Sequence, residues 1–158
     1  MKGFFFMLGL MGILMMGANK QNELAQLRLE ATRFQSLETA QAAGYGPVFG
    51  VDQCFSHSGL GGLGYRYINA NLIDTKVDIL QPEVLIYIPG PNGTLRLGAV
   101  EYVVPVSTWN ATNTGWPQIM GHQFHLNSSQ NVYVLHIWVW ENNPSGMFEY
   151  WNPMVSCA

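Results

Sequence analysis

Four histidines are the residues whose chemistry stands out: His57, His122, His125 and His136. A zinc or other transition-metal site needs three or four nitrogen, oxygen or sulfur donors converging on one point. His122 and His125 are three positions apart, which places them on opposite faces of a strand. In the simplest hairpin register His125 lies opposite Val132, roughly 13 Å along the ladder from His136. The pairing that geometry favours is His136 beside Glu101 on neighbouring strands, with His122 or His57 arriving from a loop. The expected ligand is then a transition-metal ion or a small molecule. The bland alternative is a buried histidine hydrogen-bonded to its carboxylate, and by itself that is the commoner arrangement.

Other motifs carry less. Gly59, Gly61 and Gly64 match a GxGxxG pattern, but a strand follows where a dinucleotide turn needs a helix N-terminus. A tight or flexible loop is the expectation. Ser56 and Ser58 flank His57 without a Gly-x-Ser-x-Gly elbow. Glu83, Glu101 and Glu141 could supply paired glycosidase carboxylates, yet their spacing selects no pair. Enzymatic activity is left open. Cys54 and Cys157 lack CxxC spacing and are expected to form a disulfide, which would pin the C-terminal tail. Asn92, Asn110 and Asn127 head the sequons NGT, NAT and NSS in expected turns. They are glycan sites in a eukaryotic secretory pathway, or chance matches in an Asn- and Thr-rich chain. Trp138 and Trp140 read as core; Trp109 and Trp116, in a polar loop, are freer to stack on a ligand.

The elements that must position these residues follow from periodicity. Apolar residues Leu24, Leu27, Ala31, Phe34 and Leu37 recur at helical steps, predicting one amphipathic helix over residues 21–43. Asn22 would cap it and Gly44 would end it. Strands are expected at 63–68, 83–88, 95–104, 121–126 and 131–141. Asn92-Gly93 marks one hairpin turn and residues 127–130 another. A loop rich in Ser, Thr, Asn and Trp is expected over 105–120, and an irregular tail over 142–158. Val132, Val134, His136, Trp138 and Trp140 alternate with Tyr133, Leu135, Ile137 and Val139, so both faces of that strand are covered. Glu101 shares a face with Leu97, Ala99 and Val103, where an acid must be paired, line a cavity or be protonated. The fold class is α+β: one long N-terminal helix packed on an antiparallel sheet or partly closed barrel of about five strands.

Composition bounds the rest. The 158 residues suit one domain. With 7 Lys+Arg against 10 Asp+Glu and no basic stripe, nucleic-acid binding is excluded. A hydrophobic share of 48% excludes disorder. Met1 and Lys2 precede a short apolar run ending in Gly17-Ala18, the pattern of a secretory signal peptide over 1–18. Met16 departs from the small residue wanted two positions before the cut, so an uncleaved anchor is the alternative. No stable membrane span is expected. Residues 19–158 form a single exported domain: secreted, periplasmic or on the cell surface.

A series of phrases carries a resemblance: ATRF at 31–34, residues 40–45, GLGYRYIN at 62–69, PEVLIY at 82–87, LGAVEYVV at 97–104 and LHIWVWENNPSGMFEYWNPMVSC at 135–157. The chain resembles an uncharacterised family of exported bacterial proteins, over most of its mature length. Members show a histidine in the phrase corresponding to GLGYRYIN, where this chain carries Arg66. The resemblance therefore implies that a metal site shared through that histidine would be altered here, and it adds Arg66 to the candidate site. Two functions stand against each other. One is an exported ligand- or metal-binding domain whose pocket is lined by His136, Glu101 and aromatics. The other is a self-associating structural subunit of a cell-surface or extracellular assembly.

Overall fold

The computed structural model describes residues 8–158, with side chains from residue 19 onward. The leader expected over 1–18 therefore lies partly outside the described residues. Helix α1 spans Leu8–Ala31. Among the described residues no helix is long and apolar enough to cross a membrane. The single helix expected over 21–43 is broken: α1 gives way to a 3-10 turn, Thr32–Gln35, and then to α2, Leu37–Ala42. Two bonds, one long-range and one local, explain the break. The Tyr87 hydroxyl donates to the Phe34 carbonyl at 2.6 Å, taking an acceptor the helix would use. Ser36, with extended backbone, accepts the Thr39 N–H and caps α2 afresh. Asn22 is interior to α1 and caps nothing. Gly44, at φ +100°, ends α2 as its type suggested.

The strands are β1 (Gly46–Pro47), β2 (Cys54–His57), β3 (Gly61–Ile68), β4 (Val84–Pro89) and β5 (Leu95–Pro105). Helix α3 (Val106–Thr112) follows, then β6 (Gln118–Ile119), β7 (His122–Gln123), β8 (His125–Asn127) and β9 (Val132–Ile137). Seven of the strands form one antiparallel sheet. β1 and β2 share the position outside β3, and β4, β5, β9 and β8 follow in order. The sheet is open, with short strands at both edges, so the barrel alternative is corrected. The β4–β5 turn places Asn92 and Gly93 at positive φ, as its sequence demands.

Four further expectations change. The loop over 105–120 contains α3, whose Val106 N–H bonds the Asn131 carbonyl. The strand over 121–126 splits into β7 and β8 around buried Phe124, whose N–H bonds Pro117. β9 ends at Ile137, because the Trp138 N–H turns to the Met147 carbonyl and the Trp140 and Glu141 N–H groups both bond the one Gly98 carbonyl of β5, outside the ladder pattern. The register also shifts between Ile86 and Tyr87, so Leu97 opposes Tyr87 while Ala99 opposes Ile86. That irregularity puts Leu97 on the helix side and leaves Glu101 with Ala99 and Val103.

Each sheet face is covered. Leu27, Ala31, Phe34 and Tyr45 pack on Leu85, Tyr87, Leu97 and Leu135 on one side. On the other, Val155 of the tail packs with Leu63, Ile86, Ala99 and Val134, joined by Tyr150 and Trp151. Cys54 and Cys157 form the expected disulfide and tie that tail to β2.

Candidate functional site

Glu101 and His136 are direct partners across β5 and β9. His136 Nε2 lies 2.7 Å from Glu101 Oε2. Arg66, on β3, pairs with Ile86 of β4, and its side chain crosses that strand to reach the same acid. Its Nε and Nη2 donate to the two carboxylate oxygens at 3.0 and 2.5 Å, a bidentate fork. Glu101 is 0% exposed, His136 1% and Arg66 9%. The Tyr150 ring meets the His136 ring edge-on, with centroids 4.2 Å apart. Burial pushes the Glu101 carboxyl up, but the charges and hydrogen bonds of His136 and Arg66 outweigh it and hold the group at about 2. Burial likewise opposes the Arg66 charge, and Glu101 reverses that and raises the guanidinium above its ordinary value.

This is a closed arrangement. One carboxylate meets a guanidinium and an imidazole, and every buried side-chain nitrogen or oxygen among the described residues has a hydrogen-bond partner. The other candidate histidines go elsewhere. His57, exposed on β2, sits 5.5 Å from the Trp151 ring. His122 stacks on Phe148 at 3.6 Å and 16°; partial burial, then Lys20, lowers its pKa. His125 opposes Val134 instead of Val132, and it stays exposed. The turn explains the shift, because Asn127 Oδ1 accepts from Ser129 Oγ and Gln130 N and closes it. Among the described residues no group of three His, Cys, Asp or Glu side chains is placed to hold a metal. Arg66 supplies the positive charge on the third side of Glu101.

The remaining motifs find structural uses. A Cβ on Gly61 would lie 2.2 Å from the Asn152 carbonyl, and one on Gly64 2.4 Å from that of Tyr87. Both lie inside β3 and not in the expected loop, and they permit close backbone approach there. Glu83 is buried and accepts the Val103 N–H; burial, above all, pushes its carboxyl up to about 8. Glu141 pairs with Arg96. Asn92 and Asn127 stand at turns, whereas Asn110 lies inside α3 and accepts from the Tyr133 hydroxyl. Trp109 donates to the Gly115 carbonyl, and Trp116 is exposed beside Tyr133.

Sequence reasoning missed a cleft of about 310 Å³ where α1 meets the chain leaving β9. Arg28, Trp138, Trp140, Glu141, Asn142 and Met147 line it. Arg28 Nε and Nη2 both donate to the Val139 carbonyl at 3.3 Å. Two tryptophans followed by two asparagines were the available signal, obscured because Trp138 and Trp140 resemble core. A second cleft of about 220 Å³ is lined by Asn71, Asp74, Lys76, Asp78, Gln81 and Glu83. Its aspartates are spent on their own turns, accepting from the Lys76 and Leu80 N–H groups. Compared with protein-family models, curated proteins and solved structures, the chain shows no match.

Proposed function

We propose that the chain is an exported domain that binds a small ligand in the Trp140 cleft. The observation that carries this is the chemistry of the lining: a half-buried indole, a guanidinium and an exposed amide around one concavity. The buried Arg66–Glu101–His136 cluster supports the same reading as a frame. It fixes β9 two residues before Trp138, so the segment that lines the cleft leaves a rigid strand. Export is supported by the leader pattern, the disulfide and the resemblance to exported bacterial proteins.

The test is a nitrogen-15 NMR titration of the mature chain with small neutral sugars, amino acids and carboxylates. Shifts confined to the Trp140 indole and the Asn142 and Asn143 amides are expected. No perturbation there by any probe at millimolar concentration would overturn the reading. Exposed Phe49, Leu60 and Met154, at 71%, 50% and 64%, favour the second reading, a self-associating subunit. Light scattering that finds only monomer removes it.

A further inference from the structure

We infer that the Trp140 cleft selects a single-ring carboxylate, with Arg28 as the anion-binding group; this rests on the ligand-binding reading above. Two charged side chains line the cleft, and they are unequal. Glu141 is engaged by Arg96. Among the described residues the Arg28 side chain hydrogen-bonds one neutral acceptor, the Val139 carbonyl, through Nε and Nη2. A guanidinium carries five N–H donors, so most of its hydrogen-bonding capacity has no partner among the described residues. Its charge likewise has no carboxylate against it there.

That leaves a planar cationic fork at the edge of a cleft, the geometry that matches a carboxylate or a phosphate oxygen pair. Charge decides between them. One guanidinium balances a monoanion, and the Glu141 carboxylate in the same lining works against a dianion. Size and surface set the body of the ligand. At about 310 Å³ the cleft is at the small end of ligand sites and holds one ring. Trp140 offers that ring a stacking face, and exposed Asn142 offers both a donor and an acceptor for hydroxyls. A hexuronic acid combines all three features.

Calorimetric titration of the full exported chain with glucuronate, glucose and inorganic phosphate tests this. Glucuronate should bind at least about tenfold more tightly than either comparator, the range of one charge-assisted contact. Arg28→Gln should remove that preference, so that glucuronate binds no more tightly than glucose. Arg28→Lys, which keeps the charge without the fork, should recover only part of it. Arg28 is exposed on α1, and matched melting curves check that the variants fold. Equal binding of glucose and glucuronate, tighter binding of phosphate, or a preference that survives Arg28→Gln would each overturn the inference while leaving the cleft as a binding site. No binding of any probe, with no shift at Trp140, would overturn both.

Discussion

Replacing Glu101 by Gln tests the electrostatic account of the buried cluster. The substitution keeps shape and removes one charge, leaving the Arg66 guanidinium, 9% exposed, with no countercharge. Breaking a buried ion pair from one side costs about 3–5 kcal/mol, because the partner stays desolvated and unpaired. Acid titration of the unaltered protein gives the magnitude by a second route. Glu101 is held at about 2 against an ordinary 4.5, and each pKa unit is worth about 1.4 kcal/mol, so the charged form is favoured by ~3 kcal/mol. A depressed carboxyl contributes stability that is complete above 4.5 and is lost as pH falls through 2. Urea unfolding, followed by tryptophan fluorescence from pH 7 to pH 2, should show both effects. Glu101→Gln should lower stability by about 3–5 kcal/mol at pH 7, roughly 10 °C or more in Tm for a chain of this size. The two curves should converge in acid, since the variant lacks that titration. Replacing Arg66, Glu101 and His136 together by Met, Leu and Leu should cost far less than Glu101→Gln alone. A loss under about 1 kcal/mol at neutral pH, or an acid slope unchanged by the substitution, would refute the reasoning.

Glu83 titrates the other way. Its folded carboxyl sits at about 8, so the stability it contributes is complete below its ordinary 4.5 and falls as pH rises through 8. Glu83→Gln should match the parent at pH 4 and exceed it by roughly 2–4 kcal/mol at pH 8.5 in urea unfolding. Cys54→Ser with Cys157→Ser opens a loop of sequence separation 103 and should cost ~4–5 kcal/mol. Hydrogen exchange should then accelerate in tail residues 150–155 more than in β4 or β5. Gly64→Ala, at φ +98° and against the Tyr87 carbonyl, should destabilise by more than ~2 kcal/mol. Gly59→Ala, at φ +93° with nothing within 4 Å, should cost only about 1 kcal/mol, and thermal melts compare the two.

Much of the fold was legible because it rests on local rules. Alternation marked β3, β4, β5 and β9, the Asn92-Gly93 step marked their central hairpin, and cysteine parity marked the disulfide. What was illegible depended on distant partners. No periodicity within residues 21–43 reports that a tyrosine 53 residues away takes the Phe34 carbonyl. Apart from Ala111, helix α3 is built from Val, Ser, Thr, Trp and Asn, which favour a helix little; its bonds to Asn131 and Tyr133 hold it. Residues 138–141 alternate like strand, yet the β5 irregularity presents the Gly98 carbonyl to the Trp140 N–H and draws the chain out of the sheet. The cleft exists because of that departure.

The site shows why residue type on one face underdetermines chemistry. From alternation alone, Glu101 on an apolar face had to be paired, solvated in a cavity or protonated, and His136 was its natural neighbour. Those two residues are equally consistent with a metal donor pair and with a structural hydrogen bond; the third neighbour decides, and strand order chooses it. β3 and β5 are not adjacent, so no pairing argument brings Arg66 to Glu101. Only a long side chain passing over Ile86 does so, and sequence spacing holds no record of that crossing. Once there, the guanidinium is a cation attached to the fold. It satisfies the carboxylate from inside the chain, in the place where a donor pair of this kind would otherwise recruit one. The buried cluster is satisfied within itself, whereas Arg28, at the rim of the Trp140 cleft, is bonded among the described residues to a neutral carbonyl and retains both charge and donors. The two arginines thus differ in partner: one neutralises an acid inside the sheet, and the other, on the covering helix, meets a neutral carbonyl.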